Sequence, residues 1–192
     1  MLKHMNGSQQ RFQFDVPTYR RMARTGILPR DAHVELLDGE IITMSPIGPK
    51  HILFTARLQQ KLVTSFGDRV LVIGQSPIQL SDYSEPEPDI YLVPLERLDG
   101  ELRTPTSEDA VLVIEVSDST LRYDRTRKLP SYARAGVQEA WIVNLGRGKK
   151  AKPILEVYRK PNGDVFDSLE VFQVGQHVEL LAFAGEPLEW WS

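Results

Sequence analysis

The chain has no cysteine, so disulfides, iron–sulfur clusters and thiolate zinc sites are excluded. That absence is compatible with a reducing cytoplasm, where the protein is expected. No run reaches the roughly 18–20 apolar residues of a spanning helix, which argues against a membrane protein. Residues 1–10 are polar and lack an apolar signal core, so secretion is not expected. No internal repeat or low-complexity segment is present. Nor is there a surplus of positive charge. A formal net charge of −3 counts against a protein that coats nucleic acid without selection, yet it allows a nuclease whose cleft alone is positive.

What is present is an ordinary globular composition, 41% hydrophobic and 26% charged over 192 residues, enough for one domain with a genuine core. The reading is a disordered tail over residues 1–13 and a single domain over 14–192. A short helix follows Asp15-Val16-Pro17 and stops at Gly26. The segments 33–37 and 40–44 flank Asp38-Gly39, a dipeptide that favours a type I′ hairpin turn. Residues 49–66 carry Ile52, Leu53, Ala56, Leu58, Leu62, Val63 and Phe66 at helical spacing, ended at Gly67.

Strands are expected near 69–73, 76–81, 88–93 and 110–117, then a helix over 122–135 and a strand over 138–144. Strands near 153–159 and 165–173 follow, joined by Pro161-Asn162-Gly163-Asp164. The fold class is therefore α/β, in the mixed α+β sense: a mixed sheet flanked by helices, with an N-terminal hairpin and additional C-terminal strands. The strand–helix–strand unit over 110–144 should be a right-handed crossover with parallel strands. Its chemistry belongs at the carboxyl end of the first strand.

Two acids interrupt apolar strands. Asp89 follows Pro86-Glu87-Pro88 and leads into Ile90-Tyr91-Leu92-Val93, and Glu115 ends the run Ala110-Val111-Leu112-Val113-Ile114. A carboxylate is seldom buried without a positive partner. Two of them on neighbouring strands suggest a shared divalent metal, with the Val116 carbonyl beside them. Mg²⁺ accepts such hard oxygen ligands and activates phosphodiester hydrolysis. Lys128, from the following helix, would supply an ammonium to orient the attacking water. Duller readings make Asp89 a turn cap, Glu115 an exposed strand end beside an arginine, and Lys128 a solvated cation among Arg122, Arg125, Arg127 and Arg134. A second basic cluster is Arg147, Lys149, Lys150 and Lys152.

These residues resemble the PD-(D/E)XK nuclease superfamily, with its restriction-endonuclease-like fold. The usual motif places lysine two residues after the second acid, where this chain has Ser117. A migrated lysine, Lys128, is the natural replacement. The segments Glu35-Leu36-Leu37-Asp38-Gly39-Glu40, Ser45-Pro46, His51, Pro88-Asp89, Glu115-Val116-Ser117 and Arg127-Lys128-Leu129-Pro130-Ser131-Tyr132 are similar to the Uma-two family, over roughly residues 15–160.

The resemblance implies a Mg²⁺-dependent endonuclease of DNA, with Mn²⁺ able to substitute, leaving a 5′-phosphate. Asp89, Glu115 and Val116 would bind metal, and Lys128 would position water. His51 and Glu40 would assist, while Arg127, Tyr132 and Glu35 would lie at the substrate. Pro130 argues for a kinked or late-starting helix. Glu87 should share the face of Asp89 if the strand has begun there. A homodimer would suit cutting both strands of a duplex. The alternative is an inactive nucleic-acid- or protein-binding module on the same fold, or a hydrolase of another phosphoester. Trp190-Trp191 packs back or mediates association.

Overall fold

The computed structural model describes residues 11–29, 31–98, 102–148 and 151–192. Most of the expected N-terminal tail, and Lys149 and Lys150 of the second basic cluster, lie outside the described residues. Residues 11–13 lie against the hairpin: Arg11 Nη1 meets Glu40 at 2.8 Å, and Gln13 donates to the Asp38 carbonyl at 3.2 Å.

Helix α1 (Val16–Thr25) starts where the Asp15 carboxylate accepts the Thr18 N–H, and stops at Gly26 in the left-handed conformation. Strands β1 (Val34–Leu37) and β2 (Glu40–Thr43) form the hairpin. Asp38 and Gly39 adopt φ 53° and 77°, both positive as a type I′ turn requires. Helix α2 (Pro49–Phe66) follows, then β3 (Val70–Gly74), β4 (Ile90–Pro94) and β5 (Leu112–Ser117).

The crossover begins with one α-turn, α3 (Leu121–Tyr123), widens into a π-turn over Asp124–Lys128, and ends in α4 (Leu129–Arg134). Pro130 sits in the first turn of α4, so its missing N–H interrupts the ladder just where the helix returns to α geometry. The expected kink is thus a π-bulge. Strand β6 (Glu139–Asn144) runs parallel to β5 and completes the crossover. Strands β7 (Ile154–Asn162) and β8 (Val165–Gln173) add a hairpin. The short strands β9 (His177–Glu179) and β10 (Pro187–Glu189) pair with each other at the end of the chain.

The main sheet has the order β3-β4-β5-β6-β7-β8. All its pairings are antiparallel except β5–β6. Both faces are covered, which explains why β4 and β5 read as nearly continuous apolar runs. Ile90, Leu92, Leu112, Ile114 and Val116 face α2, together with Trp141 and the C-terminal Trp190. Tyr91, Val93 and Val113 face α4 with Tyr132 and Val137. Trp190 is wholly buried, and the Trp191 ring stacks on Phe54 at 3.5 Å between centroids. The chain end therefore packs back into the core.

Two expectations are corrected. Residues 76–81 do not form a strand. Their N–H groups bond to scattered loop carbonyls, those of Pro86, Pro105 and Ser84, and no single neighbouring strand offers a ladder. Ile78 and Leu80 are buried nonetheless. In α2 the core takes Phe54, Leu58, Leu62 and Phe66, whereas Ile52, Leu53 and Val63 are exposed. The sheet covers one side of this helix, so an apolar set wider than the buried stripe leaves part of itself in solvent.

Candidate active site

On β4 and β5, Ile90 lies opposite Ile114 and Leu92 opposite Leu112. Asp89 immediately precedes that pairing and Glu115 immediately follows it, so the two acids adjoin at one end of the strand pair. Strand alternation turns Glu115 toward the crossover helix, where Tyr132 and Lys128 meet it, whereas Asp89 meets His51 in the first turn of α2. The N-terminus of α2 also reaches this end of the sheet, because Lys50 Nζ bonds the Leu145 and Gly146 carbonyls just beyond β6.

Each acid has a defined set of contacts. Asp89 Oδ2 accepts the Val116 N–H at 2.7 Å, and Oδ1 lies 2.9 Å from His51 Nε2. Burial alone would lower the His51 pKa, but the hydrogen bond and charge of Asp89 override it and raise the value. Glu115 Oε1 accepts the Tyr132 hydroxyl and lies 3.2 Å from Lys128 Nζ, while Oε2 is 3.4 Å from the same nitrogen. Burial pushes the Glu115 carboxyl well up, partly offset by the Lys128 ammonium. Lys128 is held above its ordinary value despite its burial, because Glu115, Glu35, Asp124 and Asp89 surround it. It is therefore an ammonium throughout the neutral range.

The π-turn decides what lies beside the acids. Lys128 ends it and Tyr132 follows four residues later, so both side chains face β5. Asp124, which opens the turn, is buried and accepts the hydroxyls of Ser117 and Thr120, each at 2.6 Å. Ser117, in the lysine slot of the resembling motif, is thus committed to Asp124. Burial raises the Asp124 carboxyl, and those two hydroxyls pull it back.

A cavity of about 1150 Å³ opens over this end of the sheet. The acids Glu35, Glu87, Asp89, Glu115, Asp118 and Asp124 line it, facing Lys128, Arg122, His33 and His51. The wall is acidic on balance, which suits a cation better than a bare polyanion.

The structure brings together Asp89, Glu115, Lys128, His51 and Glu35. It places Glu40 elsewhere: Glu40 pairs with Arg11 and Arg127 away from the cavity wall. Hairpin register explains the difference. Glu35 lies opposite Ile42 and Leu37 opposite Glu40, so Glu35 and Glu40 project from the same side but two rungs apart. The rung carrying Glu35 is the one over the cavity.

Three substrate-side expectations also meet a different setting. Arg127 is engaged with Glu40, Tyr132 is buried behind Glu115, and Glu35 is 1% exposed with both oxygens occupied. Of the basic cluster, Arg125 pairs with Glu156 and Arg134 with Asp38, whereas Arg122 faces the cavity. Asp124 and Tyr123 were missed by sequence reasoning; Glu87, considered only as a neighbour of Asp89 on one strand face, precedes the start of β4 and lines the cavity beside it. Only the i, i+4 spacing of Asp124 and Lys128 hinted at the first.

Among the described residues, no group of three or more His, Cys, Asp or Glu side chains could by itself hold a metal ion. A divalent cation here would rest on Asp89, Glu115 and the Val116 carbonyl, with water or substrate oxygens completing its shell. That all-oxygen, partly open donor set fits Mg²⁺ or Mn²⁺ and not a closed structural site.

The crystal structure of "a putative nuclease belonging to DUF820" from Anabaena variabilis ATCC 29413 is similar in fold, with TM-score 0.61 and 18% identity over 80% of this chain and 84% of that one. The type IIG restriction endonuclease BpuSI matches at TM-score 0.42 and 18% identity, over 66% of this chain and only 14% of that one. No curated protein matches. A family model described as "Putative restriction endonuclease" matches residues 16–188, nearly the whole chain, and the protein belongs to that family, Uma2.

Proposed function

We propose that this protein is a divalent-metal-dependent endonuclease of the PD-(D/E)XK type that hydrolyses phosphodiester bonds of DNA. The observation that carries the reading is that Asp89 and Glu115, at adjoining ends of β4 and β5, line one cavity with the buried Lys128 ammonium against one of them. Asp89, Glu115 and the Val116 carbonyl would hold Mg²⁺, or Mn²⁺ in its place. When bound, that ion neutralises charge on the phosphate and acidifies a coordinated water.

The chain's own groups do the rest. The Val116 N–H and His51 orient Asp89 through its two oxygens. The Tyr132 hydroxyl orients Glu115. Lys128 keeps its proton at neutral pH, so it donates a hydrogen bond to the attacking oxygen and offsets negative charge gathering on the phosphate. Arg122, on the cavity wall, would meet a phosphate of the incoming strand. A two-fold dimer in the cytoplasm would cut both strands of a duplex.

Nicking of supercoiled plasmid in Mg²⁺ or Mn²⁺ tests this. Asp89→Ala and Glu115→Ala should each lower the rate at least about a hundredfold, as loss of a metal ligand does. Equal nicking by wild type and both variants would defeat the reading. Ser117 in the usual lysine slot supports a second reading, a binding module that cleaves nothing. Calorimetry separates them, since such a module need not take up Mg²⁺ at the carboxylate pair.

A further inference from the structure

Lys128 has three N–H protons and three acceptor groups, the Glu35 and Glu115 carboxylates and the Glu87 carbonyl. Its Nζ lies 3.2 Å from Glu35 Oε2, 3.2 Å from Glu115 Oε1 and 3.1 Å from the Glu87 carbonyl. Glu115 is one of the carboxylates assigned to the cation. Once it turns to a divalent ion, the ammonium loses that partner and gains a like-charged neighbour. A buried ammonium without a counter-charge leaves its site or is displaced.

Of the two carboxylates in direct contact with the ammonium, the one that remains is Glu35, with the buried Asp124 acting from farther off. Glu35 lines the same cavity, and both of its oxygens are taken by groups of the chain. The Tyr123 hydroxyl donates to Oε1 at 2.9 Å and the Glu87 N–H to Oε2 at 3.1 Å. Glu87 stands between Pro86 and Pro88, which have no N–H, so it offers the sole backbone donor of that tripeptide. The same residue turns its carbonyl to Lys128. One rigid Pro-Glu-Pro step thus ties β1 of the hairpin to the lysine of the crossover helix.

We propose that Glu35 is a positioning residue: it anchors the Lys128 ammonium at the cavity wall while Glu115 and Asp89 engage a cation. The inference rests on the nuclease reading and assigns the N-terminal hairpin a part in it. The anchored ammonium then has the proton formerly given to Glu115 available for the attacking water.

Two measurements on the full chain test it. In plasmid nicking with Mn²⁺, Glu35→Gln should lower kcat about 10–100-fold while KM for plasmid stays within about twofold. In the second, Lys128 is acetylated with a limiting reagent and quantified by mass spectrometry, which requires no turnover. Wild type should stay protected with and without Mn²⁺, whereas E35Q should become about tenfold more reactive once Mn²⁺ is added. An E35Q variant with wild-type kcat, or with Lys128 still protected in Mn²⁺, overturns the proposal. Should E35Q fail to fold by circular dichroism, Tyr123→Phe takes its place. Raised labelling of Lys128 in Mn²⁺ supports the anchor, and wild-type protection overturns it. Loss of nicking in Asp89→Ala alongside an unaffected E35Q sinks this inference and leaves the nuclease reading standing. Full nicking by Asp89→Ala sinks the nuclease reading, and the labelling result is then read by itself.

Discussion

Asp109, just before β5, shows what one buried carboxylate contributes. Its oxygens take both Nη atoms of Arg103, at 2.5 and 2.9 Å, and the N–H and hydroxyl of Thr106 at 2.7 and 3.0 Å. The Arg103 hydrogen bonds, opposed by burial, bring its pKa down from 3.8 to about 2. A folded-state pKa below the unfolded one means that folding favours the ionised form. The stabilisation is complete above about pH 4 and fades as the pH falls toward 2. Asp109→Asn should cost about 1–2 kcal/mol in urea unfolding at pH 6, and the gap to wild type should close across that acid window. A gap that stays constant between pH 6 and pH 2 would show that the charge is not the source. At this scale much was legible: Asp89 and Glu115 stand out because each breaks an apolar run. Asp124 and Glu87 do not, because nothing local separates them from surface acids.

Among the elements, the hairpin and the C-terminal strands carry the clearest tests. Gly39 has φ 77°, and a Cβ there would lie 2.6 Å from the Gln13 Cβ. Gly39→Ala should therefore destabilise by about 1–3 kcal/mol, through both the left-handed backbone and the clash. A thermal midpoint equal to wild type would show that the turn relaxes freely. Trp190, following β10, is wholly buried and its indole N–H donates to the Gln173 carbonyl at 2.9 Å. Trp190→Ala should cost about 3–5 kcal/mol by denaturant unfolding; a loss under 1 kcal/mol would mean that the chain end is peripheral to the core. The Asp-Gly turn was readable from two residues, since their φ demands are intrinsic. Which of Glu35 and Glu40 meets the cavity was not, because hairpin register leaves both on one side and only the docking of the hairpin chooses between rungs.

For the whole molecule, cation binding at the acidic cavity, as proposed, would be linked to folding. Six acids share its wall with Lys128, Arg122, His33 and His51, and a bound divalent ion relieves their mutual repulsion. Mn²⁺ at about a hundred times its Kd should raise the thermal midpoint by about 5–10 °C. EDTA should reverse the shift and Glu115→Ala abolish it. An equal shift in that variant would move the binding elsewhere. The sequence by itself determined most of the elements, though not the loop at 76–81, the π-turn or the last two short strands, together with the two-sided sheet, its parallel crossover and the two acids, because periodicity, turn chemistry and an acid beside an apolar run act over a few residues. Tertiary structure alone decided that β1, the Pro-Glu-Pro step and the π-turn meet around Lys128. It likewise sent Arg127, with Glu40, away from the cavity. Those contacts join residues 41 to 93 positions apart, and their choice depends on how rigid elements dock rather than on any local preference.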